Sequence, residues 1–360
     1  MLLDSTRRYH LIPGAEGQFG PYFRPVPRTE PAPLPPSESD DWVDASVPLA
    51  APPAGSITFP TYVDSTMLSA YRSCPRRFFY EFCRNLHAKR RNVHFNAGGA
   101  YASGMEIARR AFYELQLPSD LSIELGFLAL TTAYGDYVPP EGEYKTWERT
   151  AAAYLSYFKE WPLDTDHLRP HVFYGRPMIE YSFAHPFPGT THPETGDPLL
   201  LAGRCDMIVE WQGMGNKLFI YDDKTTKAFA HNWARQWHLR GQFSGYVWAA
   251  RENGINVDGA VIRGAAIQKT QIKHLDSVTY RHDWEIDRWL KATVGTINRM
   301  CEDWERYTRY GVDAFMQDFD SACTNYGGCG FFEACDHLDP EPFLEMDFEF
   351  RVWNPVAVTD

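Results

Sequence analysis

Residues 203–246 read GRCDMIVEWQGMGNKLFIYDDKTTKAFAHNWARQWHLRGQFSGY. Two apolar, β-branched runs, Cys205–Trp211 and Lys217–Tyr221, flank a turn rich in Gly and Asn, which is the pattern of two paired strands. Asp206 lies near the start of the first run, and Asp222-Asp223-Lys224 closes the second. A polar helix is expected over about 233–251. It carries Gln242 and Tyr246, four residues apart and therefore on one helix face.

Outward from this stretch, the pattern is helical on the N-terminal side. STMLSAYRSCPRRFFYEFCRNL reads as a helix capped by Ser65 or Thr66. Further helices are expected over about 99–115, 119–137 and 144–161. In the last of these Trp147, Ala151, Tyr154, Leu155 and Phe158 form an apolar stripe. Strands are expected over 176–183, 199–211 and 217–221, and a fourth over 259–267. A long helix over 284–307 follows, then a Gly- and Cys-rich irregular segment over 323–335. The order of helices, three strands, helix and strand implies an α/β or α+β fold with helices packed on a central mixed sheet. Residues 1–56 are rich in Pro, Ala, Ser and acid and read as a flexible arm. The domain is expected over 57–345, with a tail over 346–360.

The chain has 360 residues, 44% of them hydrophobic, enough for one large domain or a domain with appendages. Its formal charge of −12 does not by itself suggest nucleic acid. Basic residues do cluster at Arg76-Arg77, Lys89-Arg90-Arg91, Arg109-Arg110, and Arg235 with Arg240; solvated helix faces would account for such clusters equally well. No apolar run approaches the ~20 residues that cross a membrane. The N-terminus lacks a charged start followed by an apolar core, so a cytoplasmic protein is expected. Seven cysteines, an odd number, point to metal ligation more than to disulfides in such a chain.

Two carboxylates and a lysine at the ends of adjacent strands suit a divalent metal and a water poised to attack a phosphodiester. Asp206 and Asp222 would supply two hard oxygen ligands, and the backbone carbonyl of Asp223 a third. Lys224 could orient the water or stabilise developing charge. Taken alone, a lysine among carboxylates is most often an ion-pair partner.

The set Gly203-Arg-Cys-Asp206, Asp222-Asp-Lys224 and Gln242-Phe-Ser-Gly-Tyr246, in that order, resembles the PD-(D/E)XK nuclease superfamily and its RecB-like branch, over about 62–335. The resemblance implies a restriction-endonuclease-like core in which Asp206 and Asp222 bind Mg²⁺ or Mn²⁺. Lys224 would be catalytic, and Gln242 and Tyr246 would contact the DNA backbone or brace the site. RecB-like nucleases usually carry a histidine ligand on the helix before the strands; here Ala102 stands at that position. Glu106, four residues on and on the same face, is expected to take its place, unless it merely pairs with Arg109 or Arg110. Glu180 could be an additional ligand or orient one.

Cys323, Cys329 and Cys335 are spaced C-x5-C-x5-C, and Cys74 lies far upstream before Pro75. Four thiolates can hold either a [4Fe–4S] cluster or Zn²⁺. A subset of RecB-like nucleases, including AddB and the CRISPR adaptation nuclease, staples its ends through a [4Fe–4S] cluster with one cysteine before the core and three after it. That resemblance implies a structural cluster here. Cys83, Cys205 and Cys301 read as small buried hydrophobes.

The expectation is therefore a metal-dependent DNA nuclease, of phage or bacterial exonuclease type, acting on single strands or DNA ends in recombination, repair or end processing. Arg76, Arg77, Arg90 and Arg91 are its candidate phosphate contacts. No Gly-rich phosphate loop appears, so the protein either works alone or joins a separate helicase or recombination subunit. The alternative is a catalytically inactive iron–sulfur protein that binds DNA or serves assembly on the same fold.

Overall fold

The computed structural model describes residues 8–11, 23–26, 55–89, 93–319, 321–324 and 328–356. Its main sheet has seven strands: β1 (Tyr62–Val63), β2 (Leu168–Pro170), β3 (Ile179–Pro186), β4 (Leu200–Trp211), β5 (Lys217–Thr226), β6 (Val257–Ile267) and β7 (Ile272–Tyr280). The long helices are α1 (Ser65–Ser73), α2 (Val93–Arg109), α3 (Ser119–Tyr134), α4 (Trp147–Glu160), α5 (Gly241–Glu252) and α6 (Asp283–Tyr310). The mixed sheet flanked by helices is thus as expected. No described helix is long and apolar enough to cross a membrane.

The described chain divides into two compact units. One gathers the residues up to 87 with 184–202 and 283–356; the other holds 88–183 and 203–282. Within the first unit β1 pairs in parallel with the start of β4, Tyr62 opposite Leu200. Phe79 and Phe315 pack there with ring centroids 4.9 Å apart, and α6 buries Leu290, Ile297, Met300 and Trp304 along one side. Inside the expected N-terminal arm, Arg8–Leu11 pairs antiparallel with Phe23–Val26.

The helix expected from residue 65 is broken. Asp64, not Ser65 or Thr66, caps α1, accepting from the Met67 N–H at 2.7 Å. The helix stops at Cys74, whose backbone is extended (φ −161°, ψ 110°). Pro75 causes this, because its ring disfavours helical backbone in the residue before it. A short helix, Pro75–Phe78, and a π-turn, Phe79–Cys83, follow. The Cys-Pro pair therefore sets the cysteine at a corner between two helices.

In the second unit, β5 pairs antiparallel with β4 and parallel with β6, and β6 pairs antiparallel with β7. The crossover from β5 to β6 carries α5, of which eight consecutive residues, 243–250, are buried. The aromatic face of α4 packs with α2 and α3 around Tyr101, Leu130 and Tyr154. Helices α2 and α3 cross at glycines: a Cβ on Gly126 would lie 2.4 Å from the Gly104 carbonyl. Leu155, expected in the α4 stripe, is 42% exposed, and Tyr157 is buried instead.

Two differences from the expected strands bear on the site. First, β5 does not end at Tyr221 but runs to Thr226. Its pairing with β4 stops at Tyr221 opposite Met207, while its pairing with β6 continues to Thr226 opposite Ala266. Second, β7 is absent from the strands that the sequence pattern predicts. It is an edge strand of sequence IKHLDSVTY, with Lys273 and Leu275 exposed. Edge strands tolerate charge on both faces, which weakens the apolar alternation that would betray them.

Candidate active site

The acid–lysine set lies where β4 and β5 part. Beyond Tyr221 the backbone of β5 has lost its partner on β4, and the Asp206 side chain substitutes: its Oδ2 accepts from the Asp223 N–H at 2.7 Å. Side chains alternate along a strand, so Asp222 and Lys224 share one face. Lys224 Nζ is ion-paired with Asp222 Oδ2, and Asp222 is 2% exposed.

Electrostatics couple this group tightly. Burial, then the neighbouring Asp222 and Glu180 carboxylates, push the Asp206 pKa well above the usual carboxylate range. Burial also raises Asp222, against the pull of Lys224. For Lys224 burial favours the neutral amine, but Asp222 and Asp206 outweigh it and the pKa ends above the ordinary lysine value.

Gln242 and Tyr246 sit together on α5, with Gln242 Nε2 donating to the Tyr246 hydroxyl at 3.0 Å. Burial and nearby Asp222 hold the Tyr246 phenol firmly protonated. Tyr246 also explains the glycine that opens Gly203–Asp206. A Cβ there would stand 2.9 Å from the rings of both Tyr246 and Phe183, so the tyrosine is seated directly on the backbone of β4.

Two more carboxylates approach. Glu180, on β3, pairs with Arg204 at 2.9 Å. Burial raises its pKa to about 7, with Arg204 opposing and Glu106 reinforcing the shift. Glu180 also adopts φ +54°, a left-handed backbone that is costly for a residue with a Cβ and recurs at functional sites. Glu106, on α2, is bonded to Arg110 at 2.9 Å, the i+4 partner that the helix spacing allows.

As they stand, no three His, Cys, Asp or Glu side chains among the described residues form a group that could hold a metal ion. Lys224, Arg204 and Arg110 neutralise the carboxylates instead. The donor chemistry still fits a hard divalent cation: buried carboxylate oxygens whose mutual repulsion a cation would relieve. Asp206 and Asp222 would hold it. The Asp223 side chain points to the opposite face, leaving only its carbonyl for that role.

The first unit contains the four cysteines expected to cluster. Cys74, Cys323, Cys329 and Cys335 line one cavity together with Arg77. Cys323 Sγ donates to the Asp318 carbonyl at 2.8 Å, and the Asp318 N–H donates to Cys74 Sγ at 3.5 Å. The Cys335 pKa is pushed up to about 11, by burial and by the other three sulfurs, against Arg76. The four cysteines line this cavity, but as they stand no three of them form a group that could hold a metal; thiolate chemistry is all that points to a ligated group there. Cys83 and Cys205 are buried as expected; Cys301 is half-buried, against the Thr191 carbonyl at 3.6 Å.

The proposed phosphate contacts are otherwise engaged. Arg76 bonds Asp313 at 2.8 Å and the Phe315 carbonyl at 2.9 Å. Arg77 forks onto Glu81 at 2.9 and 3.1 Å. Arg90 and Arg91 lie outside the described residues. In the sequence Arg109 has only a place in a basic pair and a possible bond to Glu106, yet it is 3% exposed and bound to Asp223 at 2.7 Å.

Comparison with known proteins bears on this geometry. A solved structure titled "Crystal structure of SSO0001" is similar over 57% of this chain and 79% of that one, at 15% identity and a TM-score of 0.25. No curated protein matches the chain. Residues 65–336 match the family described as PD-(D/E)XK nuclease superfamily. The match spans most of the chain and includes both acid-bearing strands, the Gln242–Tyr246 helix and all four clustered cysteines. The chain belongs to the PD-(D/E)XK nuclease superfamily.

Proposed function

We propose that the protein is a metal-dependent DNA nuclease of the RecB-like branch, an exonuclease acting on single strands or duplex ends with Mg²⁺ or Mn²⁺. The observation that carries this reading is the convergence of Asp206, Asp222 and Lys224 with Gln242–Tyr246 at the point where β4 and β5 separate. Nothing in the packing of the sheet needs three charged groups at that place together. Recombination, repair or end processing is the setting we infer, in the cytoplasm, with the protein working alone or beside a separate helicase or recombination subunit.

A bound cation would neutralise phosphate charge and make its own water more acidic. The residues do the rest. Asp206 and Asp222 would hold the cation. Lys224, ion-paired with Asp222, would present its positive charge to the scissile phosphate and stabilise the negative charge that grows on its oxygens. Tyr246, protonated and oriented by Gln242, offers a hydroxyl beside the same acids. Glu106, bonded to Arg110, would have to release it to join them. The four cysteines support a structural [4Fe–4S] cluster, with zinc as the alternative.

End-labelled single- and double-stranded DNA, incubated with the pure chain and Mn²⁺ or Mg²⁺, tests the proposal. Wild type should degrade DNA only with metal, while Asp222→Ala and Lys224→Ala should lose at least about 100-fold in rate. Intact DNA with wild type, or equal degradation by the variants, would instead leave an inactive DNA-binding or assembly protein.

A further inference from the structure

Asp223 stands between the two residues assigned to chemistry, and its side chain takes the opposite direction. On that side lies a buried polar cluster belonging wholly to the second unit. Arg109 meets Asp223 Oδ2 at 2.7 Å, an ionic contact outside strict hydrogen-bond geometry. The Tyr221 hydroxyl donates to Asp223 Oδ1 at 2.8 Å. Arg109 Nη2 also donates to the hydroxyls of Tyr157 and Tyr221, at 3.1 Å each. Arg263, the register partner of Asp223 on β6, donates to the Tyr157 hydroxyl at 3.0 Å and forks onto Asp166 at 2.5 and 2.8 Å. Arg109 and Arg263 are 3% and 1% exposed.

Stability alone is a poor account of this cluster. Desolvating two guanidinium groups and their carboxylates is costly, and an apolar core of the same volume is often at least as stable. Its connections are more informative. Arg109 lies one helical turn beyond Glu106 on α2, so its bond to Asp223 ties that helix to β5. The backbone of the same Asp223 donates to Asp206. One residue therefore joins the helix bearing Glu106, the strand bearing Asp222 and Lys224, and the carboxylate of Asp206.

We propose that Arg109 and Asp223 are a positioning pair: their buried ion pair fixes the Asp223 peptide, whose N–H aims the Asp206 carboxylate, and fixes α2 so that Glu106 is presented to the same site. Neither side chain touches metal or substrate. The inference rests on the reading of Asp206 and Asp222 as metal ligands. Orientation of a ligating carboxylate by its hydrogen-bond partners commonly governs metal affinity by 10- to 100-fold.

The test is Mn²⁺ titration of the intact chain, followed by calorimetry and by the electron paramagnetic resonance of unbound Mn²⁺, with no DNA present. Arg109→Met and Asp223→Asn should each weaken Mn²⁺ binding at least tenfold. The double variant should bind no more weakly than the worse single one, because both break one link. Arg109→Lys should restore part of the loss. Melting temperatures are recorded alongside. A lowered melting temperature with Mn²⁺ affinity within twofold of wild type would show a purely structural cluster and overturn the proposal. Should Arg109→Met fail to fold, Asp223→Asn, which keeps the size and the Tyr221 acceptor, decides alone. Wild type that binds no Mn²⁺ would overturn the metal reading itself, a different outcome from wild-type binding that the variants leave unchanged.

Discussion

The Asp223 backbone N–H donates to Asp206 Oδ2 at 2.7 Å, so a side chain takes the place of the β4 backbone acceptor where the strands diverge. This places Asp206 within the electrostatic reach of Asp222 and Glu180. Carboxylates so buried and so close resist ionisation, and each must lose its proton before it can ligate a cation. Mn²⁺ affinity should therefore climb with pH well beyond the ordinary carboxylate range. Titrations at pH 5.5 and 8 should differ by about tenfold or more, and Asp206→Asn should abolish binding at both. Equal affinity at the two pH values would contradict the coupling.

The glycine of Gly203–Asp206 makes a packing prediction. With Tyr246 and Phe183 each 2.9 Å from where a Cβ would sit, Gly203→Ala must displace a ring or the strand. Overpacking of this kind costs about 1–3 kcal/mol. Thermal melts should show the loss, and Phe183→Leu in the same chain should recover part of it, since it removes one of the two obstructing rings. Tyr246 is the other, so metal-dependent activity should fall more than stability does.

Much of this site was legible because its residues are spaced by secondary structure. Four residues on a helix bring Gln242 to Tyr246, and strand alternation puts Asp222 and Lys224 on one face. Asp206 and Asp222 meet because the runs that carry them pair as neighbouring strands. Arg109 was not legible. It is a helix arginine next to another arginine, and only tertiary structure shows that one of the two is buried on Asp223 while the other bonds Glu106 and Glu114. The break at Cys74 could have been read from Pro75. The cap could not, because Asp64, Ser65 and Thr66 are all good capping residues, and burial against Trp353 Nε1 at 3.2 Å accompanies the choice of Asp64.

That cap carries a pH signature. Burial raises the Asp64 pKa to about 6, although the Met67 N–H and Trp353 indole oppose the shift. A carboxyl raised in the folded state contributes stability that is fully present below its unfolded pKa of about 3.9 and is lost as pH rises through about 6. Asp64→Asn keeps an oxygen for the Met67 N–H but cannot ionise. Relative to wild type, its melting temperature should therefore improve between pH 4 and pH 7, by an amount on the order of 1–3 kcal/mol in stability. A difference between the two proteins that does not change with pH would show that Asp64 is ionised throughout.

The cysteine cavity makes the last prediction. Cys74 is brought to Cys323, Cys329 and Cys335 from about 250 residues away, so a group held by all four closes a very long loop. A crosslink of that length restricts the unfolded chain strongly, by about 5.5 kcal/mol in the entropic account. Protein purified without oxygen should be brown and contain iron and sulfide. Cys74→Ser should bleach it and lower the melting temperature by several degrees, while Mn²⁺ binding at Asp206 and Asp222 persists in whatever fraction stays folded. A colourless chain with about one zinc would replace the cluster by a tetrahedral thiolate site. A chain carrying neither metal, and indifferent to Cys74→Ser, would reduce the four cysteines to packing.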